Sequence, residues 1–422
     1  MLKRIVRSWW KVIFGGSFAV TALTVLWHAR QAGRRIRLFD DIDRWEHGPR
    51  LYAQPDFFYL NTSARPGVQA IRRTLEDWFS RYPKFGRAEL RSRIRSDNLN
   101  HRSAYFELLI HELLLKLGCK IELHPPVAGT SRRPDFAVSS RSINKFYVEA
   151  VLASDQTEAE MAAEARQNQV YDSLNRLSSP NFYIGMDLHG APTTPPPAKK
   201  IRDFLTKHLA AVNPDEMATL FRSGGFRALP HWRYEHDGWK IDFFLIPKSE
   251  ANRGKAGLQP IGIQFQGARI LQTKVAIRNA VLAKAGRYGQ LPGPYLIAVN
   301  VLSDHVDETD VIEALFGDEK FIYSIGMPPA QGPQIRRAAN GAWYGPNPRN
   351  TRVSGVIIFD QLSQSNIPWV MPCLYHNPWA AAPYTGPLDH LRRGEVVDNK
   401  MEYRGGQPLG ALLGLPTGWP GW

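Results

Sequence analysis

Between Arg102 and Gly190 the hydrophobic spacing switches repeatedly between helical and extended periods, and this constrains the fold more than any other feature. In SAYFELLIHELLLKLG, residues Phe106, Leu109, Ile110, Leu113 and Leu117 make one stripe at three-and-four spacing, as on an amphipathic helix. CKIELHP, RRPDFAVSS and KFYVEAVLA then read as short strands. EARQNQVYDSLNRL follows as a second helix, with Ala163, Val170, Leu174 and Leu177 as its stripe, and NFYIGMDL as a further strand. Strands alternating with helices predict an α/β layered architecture.

Two acids fall where acids are costly. Strand alternation places Asp135 on one face with Ala137, and Phe136 and Val138 on the other. In FYVEAV, Glu149 shares a face with Tyr147 and Val151, opposite Val148 and Ala150. A carboxylate in so apolar a strand must be paired, hydrogen-bonded or bound to a metal. A hard cation such as Mg2+ is usually held by one or two carboxylates with water and substrate phosphate, and carboxylates at the ends of adjacent strands can converge on one. Glu107 sits at the edge of its helix stripe, one turn below His111, where it either rims a cleft or lies in solvent. Glu112 falls away from the stripe, toward solvent.

Pro134-Asp135, a short gap, and then Glu149 on the next strand resemble the signature of the PD-(D/E)XK nuclease superfamily, the restriction-endonuclease-like fold. The resemblance covers residues 99–190. It implies an αβββαβ core, hydrolysis of DNA phosphodiesters, and Mg2+ or Mn2+ held by Asp135 and Glu149 with help from Glu107. The family's lysine is replaced by Val151, which can neither polarise water nor offset phosphate charge. In the branch resembling RecB-type nucleases, a Gln-x-x-x-Tyr on the following helix takes up such a role. Gln167 and Tyr171 have that spacing and would orient the nucleophile or the phosphate. Arg166, Gln169, Lys145 and Lys284 are rivals for the missing group. Val151 also keeps open a second reading, a nuclease fold that does not cleave and serves as a nucleic-acid-binding or scaffold module.

The rest of the chain is organised around this core. Residues 1–37 form a basic and apolar leader. Its uncharged run Val12–Trp27 is shorter than the roughly 18–20 residues that span a bilayer, yet Trp-flanked and basic, so residues 9–28 suit membrane contact. Residues 38–98 read as a helical lead-in, with Val68, Ile71, Leu75 and Phe79 at helical spacing; its arginines form either a phosphate-facing surface or a solvated face. Residues 191–198 are a Pro-rich linker, and 199–404 carry a second α/β pattern. Asp242-Phe243 echoes Asp135-Phe136, and Gln264 stands where Glu149 would. That half is either a degenerate repeat or part of one extended sheet, with Lys284 or Arg287 reaching toward phosphate. The lone His376 after a strand reads as structural. Residues 405–422 are a Gly/Pro-rich tail expected to be poorly ordered.

The formal charge of +14 invites a nucleic-acid partner, DNA rather than RNA on the resemblance. Eight of those charges precede the first acid, Asp40, leaving +6 for the remainder. The only cysteines, Cys119 and Cys373, exclude a disulfide scaffold and make a reducing cytoplasm the default, with the inner membrane as the alternative through the leader. No Walker-type loop or GxSxG elbow is present, which excludes those NTPase and hydrolase classes.

Overall fold

The computed structural model describes residues 36–255, 259–267, 271–322, 334–345, 347–398 and 400–421. The membrane expectation for residues 9–28 lies outside them. Among the described residues no helix is long and apolar enough to cross a membrane.

The chain is a mixed α/β protein. Helices α1 (Asp56–Thr62), α2 (Pro66–Arg81) and α3 (Arg87–Ile94) form the expected lead-in, and Val68, Ile71, Leu75 and Phe79 are all buried. Helix α4 (Asn98–Lys116) begins at Asp97, whose side chain accepts the N–H groups of Leu99 and Asn100 and so caps the free amides of the first turn. Strands β1 (Lys120–Leu123), β2 (Phe136–Ser139) and β3 (Phe146–Ala153) follow as an antiparallel meander.

The expected order of elements, helix, three strands, helix and strand, holds, but the pairing of the last two departs from the expected core. Helix α5 (Glu158–Leu174) and strand β4 (Phe182–His189) do not return to the meander. They open an insertion with helices α6 (Ala198–Ala211) and α7 (Pro214–Gly224) and strands β5 (Trp232–His236), β6 (Trp239–Pro247) and β7 (Ile261–Gln266). These strands make a separate sheet in the order β5-β6-β4-β7, with its own core around Leu174, Ile184, Trp239 and Phe243. The strand that joins β3, in parallel, is β8 (Tyr295–Val301), reached through helix α8 (Thr273–Ala285).

The physical reason is legible in hindsight. The central strand of a parallel sheet is covered on both faces and reads as a continuous apolar run. YLIAVNV in β8 is buried along its whole length, whereas FYIGMDLH in β4 carries Asp187 and ends on an exposed His189. Neither a repeat nor a 99–190 unit is therefore realised. Of the second half, β8, β11 (Gly355–Asp360), β12 (Cys373–His376), β13 (Arg392–Val397) and β14 (Lys400–Arg404) extend the first half's sheet, in the order β1-β2-β3-β8-β11-β12-β13-β14. Helix α9 (Glu308–Phe316) and the hairpin of β9 (Glu319–Ile322) and β10 (Gln334–Arg337) lie between β8 and β11 in the chain.

The large sheet separates two cores. Phe136, Val138, Phe146, Val148 and Leu296 pack with α4 and the lead-in helices, while Ala137, Tyr147, Ile297 and Val299 pack with Ile277 and Val281 of α8. The tail is not loose, contrary to expectation. Leu409 and Leu413 of helix α10 (Leu409–Leu413) and Trp419 are buried in the first core, and the Trp419 indole N–H donates to Thr74 Oγ1 at 3.2 Å. Gly414 ends the helix and Trp419 supplies the anchor.

Candidate functional site

Asp135 immediately precedes β2 and stands opposite Glu149 of β3, one step beyond the Phe136–Val148 pair of the ladder. The two side chains are interlocked through backbone amides. The N–H of Asp135 donates to Glu149 Oε2 at 3.2 Å, and that of Ala150 donates to Asp135 Oδ2 at 2.8 Å. The face assignment made from alternation holds, since Ala137, Tyr147 and Val151 belong to the core that includes α8.

Helix α8 approaches Glu149 from that side. Lys284 Nζ lies 2.6 Å from Glu149 Oε1, and Arg287 Nη1 lies 3.4 Å from the same oxygen. The Tyr288 hydroxyl is 2.6 Å from Oε2 and 3.0 Å from the carbonyl of Arg133. With the Asp135 amide, four donors converge on a carboxylate that is 1% exposed, enough to fill its lone-pair sites. Lys284 was one rival for the missing lysine, and Arg287 had been matched with phosphate. Tyr288 was missed, although Lys284, Arg287 and Tyr288 stand at the three-and-four spacing that brings side chains together at a helix end. Of the other rivals, Lys145 pairs with Glu122 at 3.6 Å, and Arg166 donates to the carbonyl of Pro192 at 2.9 Å.

Asp135 has no ion pair among the described residues. Burial first, then the charges of Glu149 and Glu107, push its carboxyl up to about 8; the Ala150 amide and Lys284 pull the other way. This carboxyl therefore holds its proton more tightly than an ordinary carboxyl, beside the contact of Lys284 with Glu149. A divalent cation would relieve the repulsion that keeps Asp135 protonated, and hard oxygen donors suit it. Two neighbouring carboxylates are a donor set of the kind such an ion takes, although the donors now on Glu149 would have to give way to it. Among the described residues no three His, Cys, Asp or Glu side chains gather to hold a metal unaided.

Glu107 joins this pair only through its field. It is on α4, whose apolar stripe covers the opposite face of the sheet, and it is buried rather than solvated. Its carboxylate accepts the Tyr82 hydroxyl at 2.6 Å and is paired with Arg93. Glu112 is not toward solvent either. It is 0% exposed and takes a bidentate pair from Arg81 at 2.8 and 3.0 Å. His111 between them is buried against Tyr82 and Phe136, and burial together with the Arg81 charge lowers it to about 4.

Gln167 and Tyr171 are not brought to the site. Both are on α5, in the inserted unit; Tyr171 packs edge-on against Tyr52 and Trp239, and its buried hydroxyl has no partner among the described residues. Gln167 makes no hydrogen bond to Asp135 or Glu149. The arginines of the lead-in are largely internal struts. Arg91 and Arg95 hold Asp40, and Arg87 bonds the carbonyls of Ser80 and Tyr82. Asp242, the supposed counterpart of Asp135, is paired in two-pronged fashion with Arg233 at 2.8 Å. His376 lies 3.5 Å from Asp389 without a nucleophile beside it.

Compared with models of protein families, with curated proteins and with solved structures, the chain matches none.

Proposed function

We propose that the chain is a metal-dependent phosphodiesterase of the nuclease type, acting on DNA, with Asp135 and Glu149 as the Mg2+ or Mn2+ carboxylates. The observation that carries this reading is Lys284 Nζ, 2.6 Å from Glu149 Oε1, from a helix packed on β3 and β8. It supplies at the carboxylates the cation that Val151 does not. The order α4, β1, β2, β3, α8, β8 also agrees with the αβββαβ order of the restriction-endonuclease-like fold once residues 154–272 are set aside. When bound, the ion contributes charge stabilisation at the scissile phosphate and an activated water. The chain's own residues do the rest. Asp135, its proton released to solvent, and Glu149 would hold the ion, and Tyr288 fixes the orientation of Glu149. Lys284, freed from Glu149, meets the charge building on the phosphate. Glu107 acts only from a distance, through the field of its charge at Asp135.

A second reading has its own support. Four donors already satisfy Glu149, so the cluster is self-sufficient as a structural tie in a fold that binds nucleic acid without cutting it. Calorimetric titration of the full chain with Mn2+, followed by cleavage assays on single- and double-stranded DNA, separates the two. Metal-dependent hydrolysis requires a saturable heat that disappears in Asp135→Ala and Glu149→Ala. Because Asp135 sits at about 8, binding at pH 7 should release close to one proton per ion, seen as a heat that varies with buffer ionisation enthalpy. Heat indifferent to both substitutions, or DNA bound but never cut, hands the case to the structural tie.

A further inference from the structure

A concavity of about 700 Å3 lies between the segment Arg37–Arg44 and helix α2, lined by neither Asp135 nor Glu149. Its charged walls are Arg37, Arg44, Arg72, Arg73, Glu76 and Asp77. Both carboxylates are already engaged. Glu76 accepts the amide N–H groups of Leu38 and Phe39 at 3.0 Å, and Asp77 pairs with Arg81 at 2.7 Å. Arg37 pairs with Asp41 at 3.5 Å.

The other three guanidiniums have no carboxylate among the described residues. Arg72 is only 8% exposed, and its Nη1 donates to two neutral acceptors, the carbonyls of Leu60 at 2.8 Å and Ser63 at 2.7 Å. Arg44 donates to the carbonyls of Ile42 and, at 2.7 Å, Asp40, and its buried Nε has no partner among the described residues. Arg73 is exposed and has no ion pair among the described residues. A buried charge without a counter-charge is costly, and like charges around it add to the cost. Burial, then Arg44, then Arg73 lower the Arg72 guanidinium to about 10, which agrees with an uncompensated cluster. Guanidinium forks match the oxygens of a tetrahedral oxyanion, and three of them favour a doubly charged one.

We propose that this concavity is a phosphate-binding site in which Arg44, Arg72 and Arg73 hold a phosphate group, free or as a monoester. The site is independent of the carboxylate pair and of the cleavage reading. Substituting Arg72 would release the carbonyls of Leu60 and Ser63 and endanger the fold, so the test rests on the other two. The full chain is titrated calorimetrically with inorganic phosphate and with adenosine monophosphate, at ionic strength matched with NaCl. Saturable binding is expected, weakened about tenfold or more in Arg44→Gln/Arg73→Gln. Arg73→Gln alone, which disturbs no contact, should weaken binding severalfold with an unchanged melting temperature in NaCl. Asp135→Asn should bind as the native chain does. Tighter binding of the nucleotide identifies an ester as the ligand, and tighter or equal binding of inorganic phosphate identifies the free anion. No saturable heat with either probe, or affinities unchanged in both arginine variants, overturns the site.

Discussion

Replacing Lys284 by Met tests whether the contact at Glu149 is the buried pair that its geometry describes. Met keeps most of the volume and removes the charge 2.6 Å from a carboxylate whose side chain is 2% exposed; Lys284 itself is 16% exposed. Removing one partner of a buried pair typically costs about 3–5 kcal/mol, because the other charge stays desolvated. Here Arg287 remains at 3.4 Å, although 41% exposed, and the Tyr288 and Asp135 donors stay in place. The expectation is therefore the lower end, about 3 kcal/mol. Adding Glu149→Gln removes the stranded charge, and the double variant should regain about half of the loss or more, a coupling of at least about 1.5 kcal/mol to which any loss in Glu149→Gln alone adds. Urea unfolding of the four proteins at pH 7.5 measures both quantities. In 1 M NaCl the coupling should persist, since buried pairs are weakly screened. A loss below about 1 kcal/mol, or strict additivity with Glu149→Gln, is what an exposed pair would give and refutes the reasoning.

Asp135→Asn should flatten the fall in stability that runs from the ordinary carboxylate range up to about pH 8. A carboxyl raised to about 8 in the folded chain binds its proton more tightly there than when unfolded. Native stability must then fall as pH rises through that range, and the variant should melt higher at pH 9; parallel melting curves from pH 6 to 9 count against this. Tyr171→Phe should leave both stability and any Mn2+-dependent cleavage within error, because the hydroxyl it removes has no partner. A large loss of cleavage would return Gln167 and Tyr171 to the site. Truncation after Arg404 should lower the melting temperature by several degrees, since Leu409, Leu413 and Trp419 are each at most 7% exposed and a buried Trp→Ala alone costs about 3–5 kcal/mol. An unchanged melting temperature would mean that the tail does not dock.

What could be read from the sequence was what is decided locally. Side-chain alternation follows from backbone geometry alone, so the faces of Asp135, Ala137, Tyr147 and Glu149 were assigned correctly from four residues on either side. Partner choice between strands is not local. FYIGMDLH and YLIAVNV both follow a helix and both are apolar, and only the unbroken burial of the second marks it as the neighbour of β3. The insertion of residues 154–272 therefore misdirected the assignment of the second core helix, and Gln167 and Tyr171 with it. Charge misled for a related reason. A helical wheel sends Glu107 and Glu112 off the apolar stripe of α4, but it cannot see that α2 and α3 cover that side as well. Once covered, each acid needed a cation, and Arg93 and Arg81 supply them. The arginines of residues 72–95 were thus largely committed to acids and carbonyls inside the fold before any partner arrives. It follows that formal charge overstates the basic surface of this chain. Affinity for a phosphate-bearing partner has to be sought where guanidiniums lack carboxylates, as at Arg44, Arg72 and Arg73, or where a cation can be released, as at Lys284.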